Sequence, residues 1–175
     1  PPRSTLFPYT TLFRSDAKNA EGETVLMHPG QYKLLQQAVV NRTRPDSLTV
    51  FMPPDQVESG MELIVATLEQ QLKRATDSNR KRDAIMVFIL DYLQIHPFFD
   101  GNGRLACMLT DLILLRERLP TINFSPIYRS DKAAMVNTLD EARETGRVEL
   151  IYEYVEGFRQ RVGAHGAPYS NQTIS

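Results

Sequence analysis

Between Gln56 and Arg74 the apolar residues Val57, Met61, Ile64, Val65, Leu68 and Leu72 recur at steps of three, four and one. That spacing lines one face of an α-helix, so the pattern predicts an amphipathic helix from about Gln56 to Arg74. Pro53-Pro54-Asp55 stops whatever precedes it and offers Asp55 as a capping carboxylate. From Asp83 to Ile95 nearly every face is apolar (Ala84, Ile85, Met86, Val87, Phe88, Ile89, Leu90, Tyr92, Leu93), which predicts a central helix buried on most sides. A similarly apolar helix is expected from about Arg104 to Leu115, its Met and Leu positions in the core. Ser130 can cap a further helix that runs through Ala134, Leu139 and Ala142 to Gly146, and Ile151, Tyr154, Val155, Phe158 and Val162 form a last amphipathic stripe. Only Leu48 to Met52 breaks the helical pattern. It is short, rich in β-formers and bounded by Arg44-Pro45-Asp46 and Pro53-Pro54, which predicts a strand or half-hairpin at the edge of a mainly α body.

Length and composition narrow this to one domain. The 175 residues are 42% hydrophobic and carry a net charge of -1, without the basic excess on which non-specific nucleic-acid binding draws. No stretch approaches the ~20 apolar residues of a membrane span, so neither nucleic acid nor membrane is an expected partner. A single cysteine, Cys107, excludes an internal disulfide framework and fits a reducing, cytoplasmic compartment. His28, His96 and His165 are too scattered for a histidine metal cluster. Pro1 to Ser15 (PPRSTLFPYTTLFRS) has none of the features of a targeting segment and resembles translated adapter or vector sequence. The native domain is therefore expected over 16–162, short of its upstream portion, with Gly163 to Ser175 as a frayed tail.

The chemistry-bearing residues fall between the two most apolar helices, in His96-Pro97-Phe98-Phe99-Asp100-Gly101-Asn102-Gly103-Arg104. Gly101 and Gly103 can take positive φ and let backbone N–H groups converge on an anion, reinforced by the dipole of the helix that follows. Arg104 adds a forked guanidinium suited to phosphate, Asp100 a hard carboxylate oxygen suited to Mg²⁺, and His96 a group able to take a proton near neutral pH. Singly, each has an ordinary structural reading: a helix-ending histidine, turn dipeptides, a solvated arginine, and Phe98 as an anchor on the core. A calcium loop matches at Asp100 and Asn102 but fails at Arg104 and at Leu105, where its glycine should stand.

HPFFDGNGR resembles the signature of the Fic (fido) family, H-P-F-x-[DE]-G-N-G-R-x-x-R, at His96, Pro97, Phe98, Asp100, Gly101, Asn102, Gly103 and Arg104. At roughly one in twenty per position, a chance match is rarer than about one in a billion per start site. Pro29-Gly30-Gln31-Tyr32-Lys33 is similar to the family's PG-x-Y-R stretch, and Arg44-Pro45 with Leu48 to Pro54 to its flap strand and double proline. The resemblance implies a Fic-type helical bundle with a β-hairpin flap beside the active-site loop. It also implies an enzyme that moves AMP from ATP to a Tyr, Thr or Ser hydroxyl of a target protein, self-modification included. By position, His96 would be the general base, and Asp100 would bind Mg²⁺. Gly101, Asn102 and Gly103 would cradle the phosphates in a nucleotide-binding loop that includes Phe98, and Arg104 would hold the charge as pyrophosphate leaves. Leu48, Thr49, Val50 and Phe51 would form the open flap edge to which a target segment adds as a strand.

Three positions depart from the family pattern. Cys107 replaces the last arginine of the signature; it stacks one turn behind Arg104, so an arginine there is expected to reach the same phosphates and tighten ATP binding, the rival reading being a small core residue. Met135-Val136 stands where many relatives carry a tyrosine pair. The inhibitory pattern [ST]-x-x-x-E-[GN] is approached at Thr145 and Glu149 but broken by Leu150. The alternatives to AMP transfer are a non-catalytic nucleotide- or protein-binding module, transfer of a different nucleotide-derived group and, less favoured, removal of AMP.

Overall fold

The structure is a computed structural model that describes residues 16–18, 24–26, 30–41 and 44–164, with side chains described over 30–39 and 48–162. Two short antiparallel hairpins precede the helices. β1 (Asp16–Lys18) pairs with β2 (Thr24–Leu26), and β3 (Ala38–Asn41) pairs with β4 (Arg44–Val50). In the second hairpin Ala38 faces Val50, Val39 faces Thr49 and Val40 faces Leu48, with an irregularity at Val40/Asn41 beside the turn. A 3₁₀ turn over Pro54–Gln56 then leads into α1 (Val57–Arg74). The remaining helices are α2 (Ser78–Ile95), α3 (Asn102–Arg116), α4 (Phe124–Ser130), α5 (Lys132–Thr145) and α6 (Glu149–Ala164).

Helix α2 is the centre. It packs between α1 and α3, while α4 links α3 to α5, and α5 pairs with α6. Ala84, Ile85, Met86, Phe88, Ile89, Leu90, Tyr92 and Ile95 of α2 are all buried, as the unbroken apolar run predicts, while Leu93 is partly buried and Val87 is exposed. From α1 come Val57, Ile64, Leu68 and Leu72, from α3 Ala106, Cys107, Ile113 and Leu114, and from α6 Ile151, Val155 and Phe158. Lys81 at the start of α2 is bridged to Glu117 past the end of α3 at 2.8 Å, which ties the outer ends of the two helices that frame the His96 loop. No helix among the described residues is long and apolar enough to cross a membrane.

Several element boundaries differ from the sequence expectation, each for a local reason. α2 begins at Ser78, five residues before Asp83, because Asp77 caps it by accepting from the Arg80 N–H at 2.9 Å. Asp55 makes no cap; it lies in the 3₁₀ turn that Pro54 opens. Ser130 ends α4 rather than starting α5, its hydroxyl donating back to the Pro126 carbonyl at 2.8 Å, and Asp131 sits at the junction. The strand expected at Leu48–Met52 starts at Arg44 and ends at Val50. α3 is less buried than its composition suggests, since Met108, Leu112 and Leu115 are 66%, 63% and 54% exposed. The last helix continues to Ala164; the rest of the expected tail, like residues 1–15, lies outside the described residues.

This distribution gives a direct test of where the stability resides. Ile85→Ala, at a fully buried site, should cost about 2–5 kcal/mol in urea unfolding. Leu112→Ala, on the exposed face of α3, should stay within about 0.5 kcal/mol of the parent.

Candidate active-site loop

α2 stops where Pro97 forbids its continuation. His96 caps the helix in the left-handed region (φ 52, ψ 60), its N–H donating to the Tyr92 carbonyl at 2.9 Å. A non-glycine residue held there costs about 1–2 kcal/mol, so the surrounding bonds must fix it. Asn102 supplies the main ones. Its side chain is 1% exposed; Oδ1 accepts from the Phe98 N–H at 3.0 Å and from the Tyr92 hydroxyl at 3.4 Å, and Nδ2 donates to the Phe98 carbonyl at 2.6 Å. The loop is thereby closed across its own neck and anchored to α2. Gly101 follows the expectation with φ +85, and α3 starts on the next residue.

Two expectations for this loop change in detail. Gly103 does not take positive φ; it lies in the first turn of α3. A Cβ there would stand 2.9 Å from the Tyr128 hydroxyl of α4, so any larger residue would have to displace that ring. Asn102, expected among the three residues that cradle the phosphates, has its side chain engaged inside the loop, so its main-chain N–H is what it can offer an anion.

His96 is half-buried and stacked on Phe51, with ring centroids 3.8 Å apart and planes at 19°. With its proton on Nδ1 it donates to the Leu93 carbonyl at 3.3 Å and leaves Nε2 as the acceptor. Burial holds the imidazole well below its ordinary value, down to about 4; the Leu93 carbonyl and Asp100 act in the opposite sense, and the Lys33 charge lowers it further. At neutral pH His96 is therefore uncharged and able to take a proton.

Asp100 and Arg104 face each other one turn apart. Arg104 Nη2 lies 3.1 Å from Asp100 Oδ2, and Asp100 Oδ1 accepts from the Gly101 N–H at 2.6 Å. A carboxylate thus already occupies the donors of an anion site, formed by the Gly101 amide, the Arg104 guanidinium and the positive end of α3. Both side chains are more than half exposed, so the pair contributes little stability and can open for a competing anion. Among the described residues no three His, Cys, Asp or Glu side chains gather to hold a metal. One exposed carboxylate beside a phosphate site nevertheless fits Mg²⁺, which takes one or two carboxylates and completes its shell with phosphate oxygens and water.

The flap meets this loop, though not as a fully open edge. Phe51 N–H donates to the Gln37 carbonyl at 3.1 Å, which continues the β3–β4 ladder. The Gln94 side chain donates to the Val50 carbonyl at 3.2 Å, and the Met52 N–H donates to the Gln94 carbonyl at 3.3 Å. Of the expected edge Leu48, Thr49, Val50 and Phe51, the end at Val50 is closed by α2 and the exposed Leu48 end stays available. Cys107 is 4% exposed and burial raises its thiol to about 11, so it is a core residue facing away from exposed Arg104. Met135 is likewise buried.

Residues that the motif did not point to complete the site. Tyr32 and Phe98 rings lie 5.8 Å apart, Gln37 Nε2 donates to the Phe99 carbonyl at 2.8 Å, and Lys33 bonds to the carbonyls of Ile95 and Pro97. The sequence signal for Tyr32 and Lys33 was the stretch similar to PG-x-Y-R, which carries no chemistry of its own until the chain folds; Gln37 had none. Tyr128, placed against Gly103 with Lys132 Nζ 5.0 Å from its ring centroid, had no sequence signal.

A family model described as Fic/DOC family matches residues 12–114, more than half of the chain. The chain belongs to the Fic/DOC family. Many members of that family are transferases. A Fido domain-containing protein of Dictyostelium discoideum is 27% identical over 109 residues, covering 58% of this chain and 73% of the relative. The fold is similar to that of a Fic domain containing signaling protein from Bacteroides thetaiotaomicron, with TM-score 0.59 and 20% identity over 77% of this chain and 51% of that one. It is also similar to a Fic family protein from Desulfovibrio desulfuricans, with TM-score 0.54 and 21% identity over 83% of this chain and 44% of that one. The chain spans about half the length of these solved Fic structures. The mainly α Fic fold with a small hairpin beside the loop is thus as the sequence predicts.

Two measurements check this geometry. The His96 imidazole, followed by NMR, should titrate well below the ordinary 6.5, near 4, and fold stability should fall as pH drops through that interval, because the unfolded chain binds the proton more readily there. A titration at 6.5 would contradict the buried setting. Cys107→Arg should lower the melting temperature, as overpacking by about 1–3 kcal/mol is joined by burial of an unpaired charge, and should not tighten nucleotide binding.

Proposed function

We propose that this protein transfers AMP from ATP to a Tyr, Thr or Ser hydroxyl of a target protein, which can be a copy of itself. The observation that carries the reading is the Asp100 carboxylate resting on the Gly101 amide and Arg104 beside a neutral His96. Such donors suit phosphate oxygens equally well, and transfers of this kind depend on positioning and electrostatic stabilisation. The target oxygen forms a bond to the α-phosphorus while the bond to pyrophosphate breaks, and the hydroxyl proton passes to His96 Nε2. Arg104, released from Asp100 by the arriving phosphates, balances the charge on the departing pyrophosphate, while the amides of Gly101, Asn102 and Gly103 orient the chain of phosphates. Asp100 would hold Mg²⁺, which supplies charge neutralisation at the phosphate oxygens when bound. The Leu48 end of the flap would take the target segment as an added strand.

A second reading is a nucleotide-binding module without turnover. It is favoured by Cys107, which leaves no cation one turn behind Arg104. Label transfer from α-³²P-ATP to self or lysate proteins separates the two. His96→Ala should reduce transfer by about 10² to 10⁴ with ATP binding unchanged. Binding without transfer by the parent protein supports the module instead. Asp100→Asn should raise the Mg²⁺ requirement for transfer, and full activity in excess EDTA would contradict it. Thr49→Pro, which removes a ladder donor opposite Val39, should impair protein modification more than nucleotide binding.

A further inference from the structure

We propose that Lys33 is a positioning residue for His96, fixing the base through the carbonyls on either side of it and through the ring on which it stacks. Lys33 lies in the irregular segment 30–37 ahead of β3, yet its side chain is only 1% exposed. Its Nζ donates to the Ile95 carbonyl at 2.9 Å and its N–H to the Pro97 carbonyl at 2.8 Å. Gln37 Nε2 takes the Phe99 carbonyl at 2.8 Å, so three alternate carbonyls of the stretch that contains His96 are bonded to one short segment.

The ammonium also has an electrostatic place. It sits at the C-terminal end of α2, where carbonyls lack helical partners and the dipole is negative. It lies 5.7 Å from the Phe51 ring centroid, and that same ring stacks on His96. No carboxylate of the described residues pairs with it. Burial draws its pKa down to about 8, so it carries charge at neutral pH, and that charge helps keep His96 unprotonated against the opposing pull of Asp100. A side chain this enclosed cannot meet substrate, which makes Lys33 a positioning residue rather than a catalytic one.

The role rests on His96 acting as the base, and the test separates the two claims. Lys33→Met fills the volume without the bond or the charge; Lys33→Arg keeps both, with the residue type of the PG-x-Y-R pattern. Each variant is followed by hydrogen exchange of the loop amides, by the His96 NMR titration, by melting temperature and by transfer kinetics. Lys33→Met should speed exchange at Phe98 to Gly103, move the His96 titration upward and lower kcat about 10- to 10²-fold with the nucleotide KM unchanged. Lys33→Arg should recover most of each. Should the methionine variant not fold, Lys33→Gln, which keeps a donor without the charge, is read by the same signals. Loop exchange and a His96 titration that match the parent would overturn the proposal. So would an arginine variant as impaired as the methionine one at an equal melting temperature. If the parent transfers no AMP, the enzymatic reading falls while exchange and titration still decide the role of Lys33.

Discussion

The buried amide of Asn102 accepts from Tyr92 and brackets both main-chain polar groups of Phe98, and the rest of the site depends on that closure. Without it the nine residues from His96 to Arg104 would be a glycine-punctuated turn joining two helices, held only by the bonds of Lys33 and Gln37 to the carbonyls of Ile95, Pro97 and Phe99. With it, the end of α2 and the start of α3 become one rigid unit, because both partners belong to buried helical ends. Leaving a buried donor or acceptor unpaired costs about 1–3 kcal/mol, so the closed loop is favoured over nearby alternatives by the polar groups it would otherwise strand.

That rigidity gives the loop its chemical character. Convergent donors at a helix N-terminus attract an anion, and here Asp100 satisfies them from within. The pairing is exposed and weak, so it keeps Arg104 in place without locking it. His96 is treated in the opposite way: Phe51 and the end of α2 take it partly out of water and hold it neutral. An exposed carboxylate–guanidinium pair and a half-buried, neutral imidazole thus belong to one loop, the arrangement on which the proposed phosphate and proton roles rest.

Much of this was legible in the sequence. The apolar run of α2 announces a central helix, the spacing in α1 announces a face, and HPFFDGNGR announces the loop because its residue types are chemically specific. What escaped depends on distance along the chain. Lys33 is only the last residue of the Pro29-to-Lys33 stretch until segment 30–37 is laid over residues 95–99, and Tyr128 has no meaning until α4 approaches Gly103. The positive φ expected at Gly103 and the inward use of the Asn102 side chain differ from a residue-by-residue reading for the same reason: residue type indicates what a side chain can do, whereas tertiary contacts decide what it is used for. The start of α2 was missed because the apolar pattern begins later than the capping chemistry at Asp77. Cys107 turned inward because a helix position three residues from Arg104 can still belong to the core-facing side.

In the proposed reading residues 100–104 form an anion site in which Asp100 stands where phosphate would bind. It is tested most directly by titrating isotope-labelled protein with ATP, in the presence and absence of Mg²⁺, while following the amide signals of Gly101, Asn102 and Gly103 and the side-chain signal of Arg104. Saturable shifts are expected at these positions, with loss of the Asp100 contact to Gly101 and Arg104 as nucleotide binds. Saturation that leaves residues 100–104 unmoved, or shifts confined to another part of the molecule, would contradict it.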